Sequence, residues 1–564
     1  MDWWEGLWLN EGFATWMENF ATDYLFPDWR IWDQFVYTDV NYALQLDSLL
    51  SSHPIEVPIE RAEDVDEIFD AISYSKGSVV VRLLEGYLGI DEFQRGIQQY
   101  IGAFEYRNTN TADLWATLQQ ASGKPVKEMM EGWTKHVGFP LLTLSEGRQE
   151  GGAVVFDVTQ RRFLVNGVKE DDETLWFVPI TFLTSDSKEP VSRQLLRERQ
   201  GQLKLETSTP LSSLKWTKIN AFQTGFYRVN YPASMRAAFR TAIASGDSTM
   251  TPADRLGLAS DLFALARAAM VPTAEVLEFV QAYEAEEEYV VWADVLSNLD
   301  DVGLILKHTD MFDDFSAYVR TLIKQIVGKV GWEKRPTDDH CAALLRTRVL
   351  SAGVKYGDES VVAEADKRFA QYFKAVKDKD ANAAKVLPAD LRGTVYASVV
   401  KHGGAAAYES LLELGKLTDL HEEKIRCLQA LASAREPELT DRSLEYGFSD
   451  AVRSQDAPSF ISALASNRLA SHRVWQYVQQ HWQRVLDRYG GTTGLSRFVG
   501  IVDNFSDSKV GDEAEKFFKE KGAPGAQQAV KQSLESLRSN ALYLKREGDS
   551  IKAWLKKQQQ QSSK

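Results

Sequence analysis

The residue most suggestive of chemistry is Glu11, set in the run Trp3-Trp4-Glu5-Gly6-Leu7-Trp8-Leu9-Asn10-Glu11-Gly12-Phe13-Ala14-Thr15-Trp16. A carboxylate on so apolar a helix is unfavourable unless something positive receives it. The best candidate for that partner is a zinc ion. The plain alternative is a capping role or an arginine partner. Glu18 follows seven residues later and falls on the same helical face, where the plain reading leaves it solvated.

No second metal-binding cluster is visible in the spacing of the other candidate ligands. The eight histidines are His53, His136, His308, His340, His402, His421, His472 and His481, and the closest two are nine apart. Two cysteines, Cys341 and Cys427, are too few for a disulfide framework or a thiolate site and fit a reducing compartment. The formal charge of −15 argues against a nucleic-acid partner or an anionic membrane surface. No apolar run reaches the roughly 18 residues of a spanning helix, and the first residues lack the pattern of a signal peptide.

The elements that must position Glu11 follow from periodicity. At 564 residues, with 44% hydrophobic and 26% charged residues, the chain is expected to fold as several soluble domains. Residues 1–137 read as aromatic-rich helices, with six of fifteen tryptophans in the first 32 positions. From 138 to 231 the period becomes two, as in Val154, Phe156 and Val158, and about seven short strands suggest a small sandwich. From 232 to 564 helical periodicity dominates. Thr251-Pro252-Ala253-Asp254 opens one helix, with Leu258, Leu262, Leu265 and Ala269 as its apolar stripe. Breaks are expected at Gly403-Gly404, Pro437 and Gly490-Gly491. Paired helices without strands suggest a curved stack, and the polar tail from about 557 reads as disordered.

Two blocks carry a resemblance. The segment from Asp2 to Ala14, containing Asn10-Glu11-Gly12-Phe13-Ala14, resembles the zinc-glutamate segment of the gluzincin aminopeptidases, closest to the puromycin-sensitive type. Asp70-Ala71-Ile72-Ser73-Tyr74-Ser75-Lys76-Gly77 resembles the tyrosine helix of that family. The stretches Met130 to Pro140 and Gly225 to Tyr231 are similar to its domain junction and the closing strand of its sandwich.

The resemblance implies a multidomain, mainly α architecture. It comprises the C-terminal part of a thermolysin-like catalytic domain, a small β-sandwich and a large HEAT/armadillo-like superhelix. It implies that Glu11 is a zinc ligand, that Tyr74 hydrogen-bonds the oxyanion as water attacks the scissile carbonyl, and that Asn10 and Glu18 stand around the ligand. The implied activity is release of N-terminal residues from peptides with a free amine, in the cytoplasm.

In the family, two zinc histidines and a general base lie on an H-E-x-x-H helix, the nearer histidine 19 residues before the glutamate ligand. A G-A-M-E-N segment lies further upstream. Only ten residues precede Glu11 here, so the chain is expected to be an N-terminally shortened member. One carboxylate does not hold zinc against water, so the chain alone is expected to retain no zinc and to be inactive. The alternative is a non-catalytic helical scaffold that binds peptide or protein.

Overall fold

The computed structural model describes residues 3–59, 65, 68–167, 169 and 171–562. Met1 and Asp2, which open the first motif, lie outside the described residues, as does the end of the tail. The chain divides into two compact units, residues 1–298 and 299–564.

The first unit begins with helices α1 (Leu7–Leu25), α2 (Ile31–Phe35) and α3 (Asn41–Leu46), the last two joined by a π-helical turn, Val36–Val40. A second π turn, Ile72–Lys76, leads into α4 (Gly77–Leu88), followed by α5 (Ile90–Ala103), α6 (Thr111–Ser122) and α7 (Val126–Lys135). Large aromatics fill the space between them. Trp8 is fully buried, lies tilted against Trp115 with ring centroids 5.6 Å apart, and donates its indole N–H to Thr111 Oγ1 at 3.1 Å.

The alternating region folds into two sheets. β1 (Pro140–Leu144) pairs antiparallel with β3 (Ala153–Arg162) and parallel with β8 (Arg228–Asn230); β2 (Arg148–Glu150) and β6 (Gln200–Glu206) also pair with β3. The second sheet runs β5 (Ser192–Leu196), β4 (Val178–Thr184), β7 (Thr217–Ile219). Val154, Phe156 and Val158 are all buried, and the Phe156 ring lies 5.8 Å from Phe182 of the other sheet, so the two faces interdigitate. Trp133 of α7 donates to the Phe177 carbonyl at 3.1 Å, which ties the helical layer to the sandwich.

Helices α8 (Ala233–Ala244), α9 (Pro252–Arg267) and α10 (Thr273–Val280) complete this unit, with α11 (Tyr289–Leu306) at its boundary. Sequence periodicity groups them with the region starting at 232. The compact unit extends to 298 instead, and buried polar pairs account for it. Lys218 Nζ meets Asp254 at 2.8 Å, and Arg228 meets Asp261 at 3.1 Å, joining strand residues to α9. Thr251 caps α9 as its sequence predicts. The helix is buried nearly all round rather than along one stripe, and Ala269 lies past its end with φ of 65°.

The second unit is helical throughout among the described residues. Helix His340–Tyr356 packs on Glu359–Lys377 and on Ala389–Leu417, which packs in turn on His421–Leu431. One apolar core, including Val361, Tyr396, Leu431, Phe460, Trp475 and Phe518, runs through the successive helices. This is the layered helix stack that the sequence suggests. Gly404, with φ of 58°, breaks the helix it sits in, and Pro437 opens another.

The tail departs from expectation. Where disorder is expected from about 557, one helix runs from Gln527 to Ser562. Lysine and glutamine are good helix formers, and the segment is anchored: Trp554 packs edge-on at 5.0 Å against Tyr318, and Gln559 donates to Asp314 at 2.5 Å.

Candidate functional site

On α1, Trp8, Gly12 and Trp16 recur every four residues and form the buried face. Glu11 is half-buried beside this face, while Asn10 and Glu18 are exposed. The apolar surroundings read from sequence therefore belong to the adjacent face of the helix, and the Glu11 carboxylate is not sealed from water. Glu18 lies about 10 Å further along the axis at 1.5 Å rise per residue, too far to share an ion with Glu11.

Tyr74 stands on the π turn Ile72–Lys76. Lys76 N donates to Ala71 O at 2.8 Å, the i→i−5 pattern that inserts an extra residue. Ile72, Ser73, Ser75 and Lys76 are buried and Tyr74 alone is half-exposed, so the turn pushes one side chain out towards α1. The turn is pinned at three places. Ser75 Oγ donates to Asp39 at 2.9 Å. Lys76 Nζ sits 2.8 Å from Asp47, both fully buried, and also donates to Gly138 O at 3.1 Å. Asp70 accepts from Ile72 N at 2.8 Å.

Two glycines bring these elements together. A methyl group on Gly12 would lie 2.9 Å from the backbone carbon of Gly77, so α1 and α4 touch main chain to main chain. Glu11 precedes one glycine and Tyr74 stands three residues before the other. At this crossing the Tyr74 phenol and the Glu11 carboxylate come close enough to interact. Burial, then the charge and hydrogen bond of Glu11, push the phenol above its ordinary range and keep it protonated. Phe69 lies 6.4 Å from the Tyr74 ring and 6.3 Å from Trp4, giving the site an aromatic side.

Of the four residues singled out in the sequence, Glu11 and Tyr74 meet, and Asn10 and Glu18 flank the pair on α1. The sequence reading missed the Gly12–Gly77 contact, Asp70, His53, Asp39 and the Lys76–Asp47 pair. An aspartate two residues before a helical turn was the one local signal available.

A catalytic zinc takes three protein ligands and a water. Among the described residues, Glu11 offers one carboxylate at this crossing, with a phenol as its neighbour. His53 is occupied, its ring nitrogens 2.9 Å from Asp70 and 2.8 Å from Pro54 O. Among the described residues no group of three or more His, Cys, Asp or Glu could hold a metal ion. The residues present do not by themselves fit a catalytic zinc.

Residues 1–133 match the Peptidase family M1 domain, and residues 216–539 match the ERAP1-like C-terminal domain. The chain is 36% identical over 565 residues to Aminopeptidase M1 of Arabidopsis thaliana, covering 96% of this chain and 61% of that protein. It is 35% identical over 555 residues to Aminopeptidase M1-A of Oryza sativa subsp. japonica, with the same coverage, 96% and 61%. It is 32% identical over 567 residues to Aminopeptidase 2, mitochondrial, of Saccharomyces cerevisiae, covering 99% and 57%. The chain thus spans about three-fifths of the length of these curated relatives.

Proposed function

Starting from a chain that belongs to peptidase family M1, we propose that it supplies part of an aminopeptidase site that releases N-terminal residues from peptides. The observation that carries this reading is the meeting of Tyr74 with Glu11, side chains 63 residues apart brought face to face by the Gly12–Gly77 crossing.

In this reading Glu11 is one zinc ligand, and the remaining ligands and the general base belong to a His-Glu-x-x-His helix that this chain does not contain. Tyr74 holds its proton and donates it as a hydrogen bond to the substrate carbonyl oxygen as negative charge gathers there. Here the phenol neighbours Glu11, whose charge favours its protonated form. A cation on Glu11 would compete for that carboxylate and release the phenol to the substrate. Asn10 and Glu18 orient the surroundings of Glu11, and the chain alone neither holds zinc nor turns over. A cytoplasmic location fits its two cysteines, Cys341 and Cys427, both buried. Among the described residues no helix is long and apolar enough to cross a membrane.

Hydrolysis of an aminoacyl-coumarin tests the proposal. The chain alone should show no chelator-sensitive turnover. A polypeptide joining it to an upstream His-Glu-x-x-His helix should turn over and lose that activity on Glu11→Ala or Tyr74→Phe. Turnover that survives both changes overturns the assignment.

A further inference from the structure

His53 touches neither Glu11 nor the Tyr74 phenol, yet it is connected to the turn that carries Tyr74. The link is Asp70. One carboxylate oxygen accepts from Ile72 N at 2.8 Å and from Ser73 N at 3.4 Å. The main-chain oxygen of the same residue accepts from Tyr74 N at 3.1 Å. Three consecutive amides of the π turn therefore hang on Asp70. Its other carboxylate oxygen lies 2.9 Å from His53 Nε2, and His53 Nδ1 lies 2.8 Å from the Pro54 carbonyl.

The chemistry of this arrangement is restrictive. A carboxylate and a carbonyl only accept, so both ring nitrogens must carry protons for both contacts to be hydrogen bonds. The imidazolium then makes a charge-assisted bond to Asp70, in a pair only 14% and 21% exposed. Burial opposes the charge on His53, while the hydrogen bond and charge of Asp70 favour it, and the balance raises its pKa. Among the described residues, the charged groups facing His53 are Asp70 and, further away, Asp47. Asp47 is committed to Lys76 at 2.8 Å. Loss of the His53 proton removes one of the two bonds and weakens the hold on Asp70.

We propose that His53 is a positioning residue for Tyr74: acting through Asp70, it fixes the π turn and with it the direction of the phenol. The functional meaning of that direction rests on the aminopeptidase reading above; the mechanical link does not. A cap that merely stabilised the turn would not transmit the protonation state of His53 to the phenol. A positioning residue does.

The test is NMR of the full chain with 13C-labelled tyrosine rings, the Tyr74 signal being assigned with Tyr74→Phe. Between about pH 5.5 and pH 9, a range that brackets an ordinary histidine, the Tyr74 signal should shift in a step whose midpoint matches the His53 ring titration. His53→Gln retains a donor for Asp70 without a titrating ring, so its Tyr74 signal should be flat and close to the low-pH wild-type position. His53→Ala should displace the signal at every pH. If that variant fails to fold, wild type and His53→Gln decide the matter. A Tyr74 signal that ignores the His53 titration in wild type, or a step that persists in His53→Gln, overturns the proposal. The readout needs neither metal nor turnover, so failure of the aminopeptidase reading leaves it standing, and a flat signal leaves that reading standing.

Discussion

Gly12 and Gly77 meet with their backbones in contact, leaving no room for a methyl group between α1 and α4. The closeness matters because Glu11 and Tyr74 are carried by the same two segments. Any widening of the crossing separates carboxylate from phenol.

Gly12→Ala is therefore expected to destabilise the chain by about 1–3 kcal/mol, the range for overpacking against atoms that cannot yield. The clash would be with main chain at 2.9 and 3.0 Å. Gly102→Ala, on a helical residue with nothing within 4 Å, serves as the control and should be neutral or stabilising by up to about 1 kcal/mol. Urea denaturation of the two variants checks the contrast.

The pairing of Tyr74 with Glu11 has its own signature. The carboxylate raises the phenol pKa through its charge and its hydrogen bond, in addition to burial. Glu11→Gln should let Tyr74 ionise at lower pH than in wild type. Titration of ring-labelled tyrosine reads this directly, and an unchanged Tyr74 midpoint would mean that the two side chains do not interact in solution.

Lys76 and Asp47 form a fully buried ion pair that joins the Tyr74 turn to the start of the sandwich. Removing one partner leaves a charge in the interior, at about 3–5 kcal/mol. Lys76→Met should cost that much, whereas Lys76→Met combined with Asp47→Leu should recover a large part of it. A double-mutant cycle by denaturant unfolding measures the coupling.

A pH effect is expected from the second unit. Lys307 is 4% exposed, and burial, followed by the charge of Lys355, lowers its pKa to about 7. The unfolded chain binds its proton up to an ordinary lysine pKa near 10.4. Between those values the unfolded state holds more protons, so stability should rise with pH. Subtracting the Lys307→Met stability profile from wild type isolates this slope. A difference profile flat from about pH 7 to pH 10 would contradict the burial of a charged amine there.

Much of the architecture is legible in the residues. The alternation of Val154, Phe156 and Val158 marks a strand with one inward face, and Thr251-Pro252 with Asp254 marks a helix start, because both signals are local. Glu11 and Tyr74 stand out by their motifs. What positions them does not, because Gly12 against Gly77, Asp39 against Ser75 and Lys76 against Asp47 are contacts between distant segments. The polar tail misleads for a related reason: its composition suggests disorder, while Trp554 and Leu555 supply the burial that holds it helical. Leu214 and Trp216, which alternate like a strand, instead precede β7, with Trp216 donating to Asp247 at 3.1 Å.

The most direct measurement is the zinc content of the purified chain after dialysis, set beside that of Glu11→Ala. With a single carboxylate and no histidine partner at the crossing, wild type should retain far less than one zinc per chain and match the variant. One tightly held zinc per chain that disappears on Glu11→Ala would show that these residues complete a metal site by themselves, and would contradict the account.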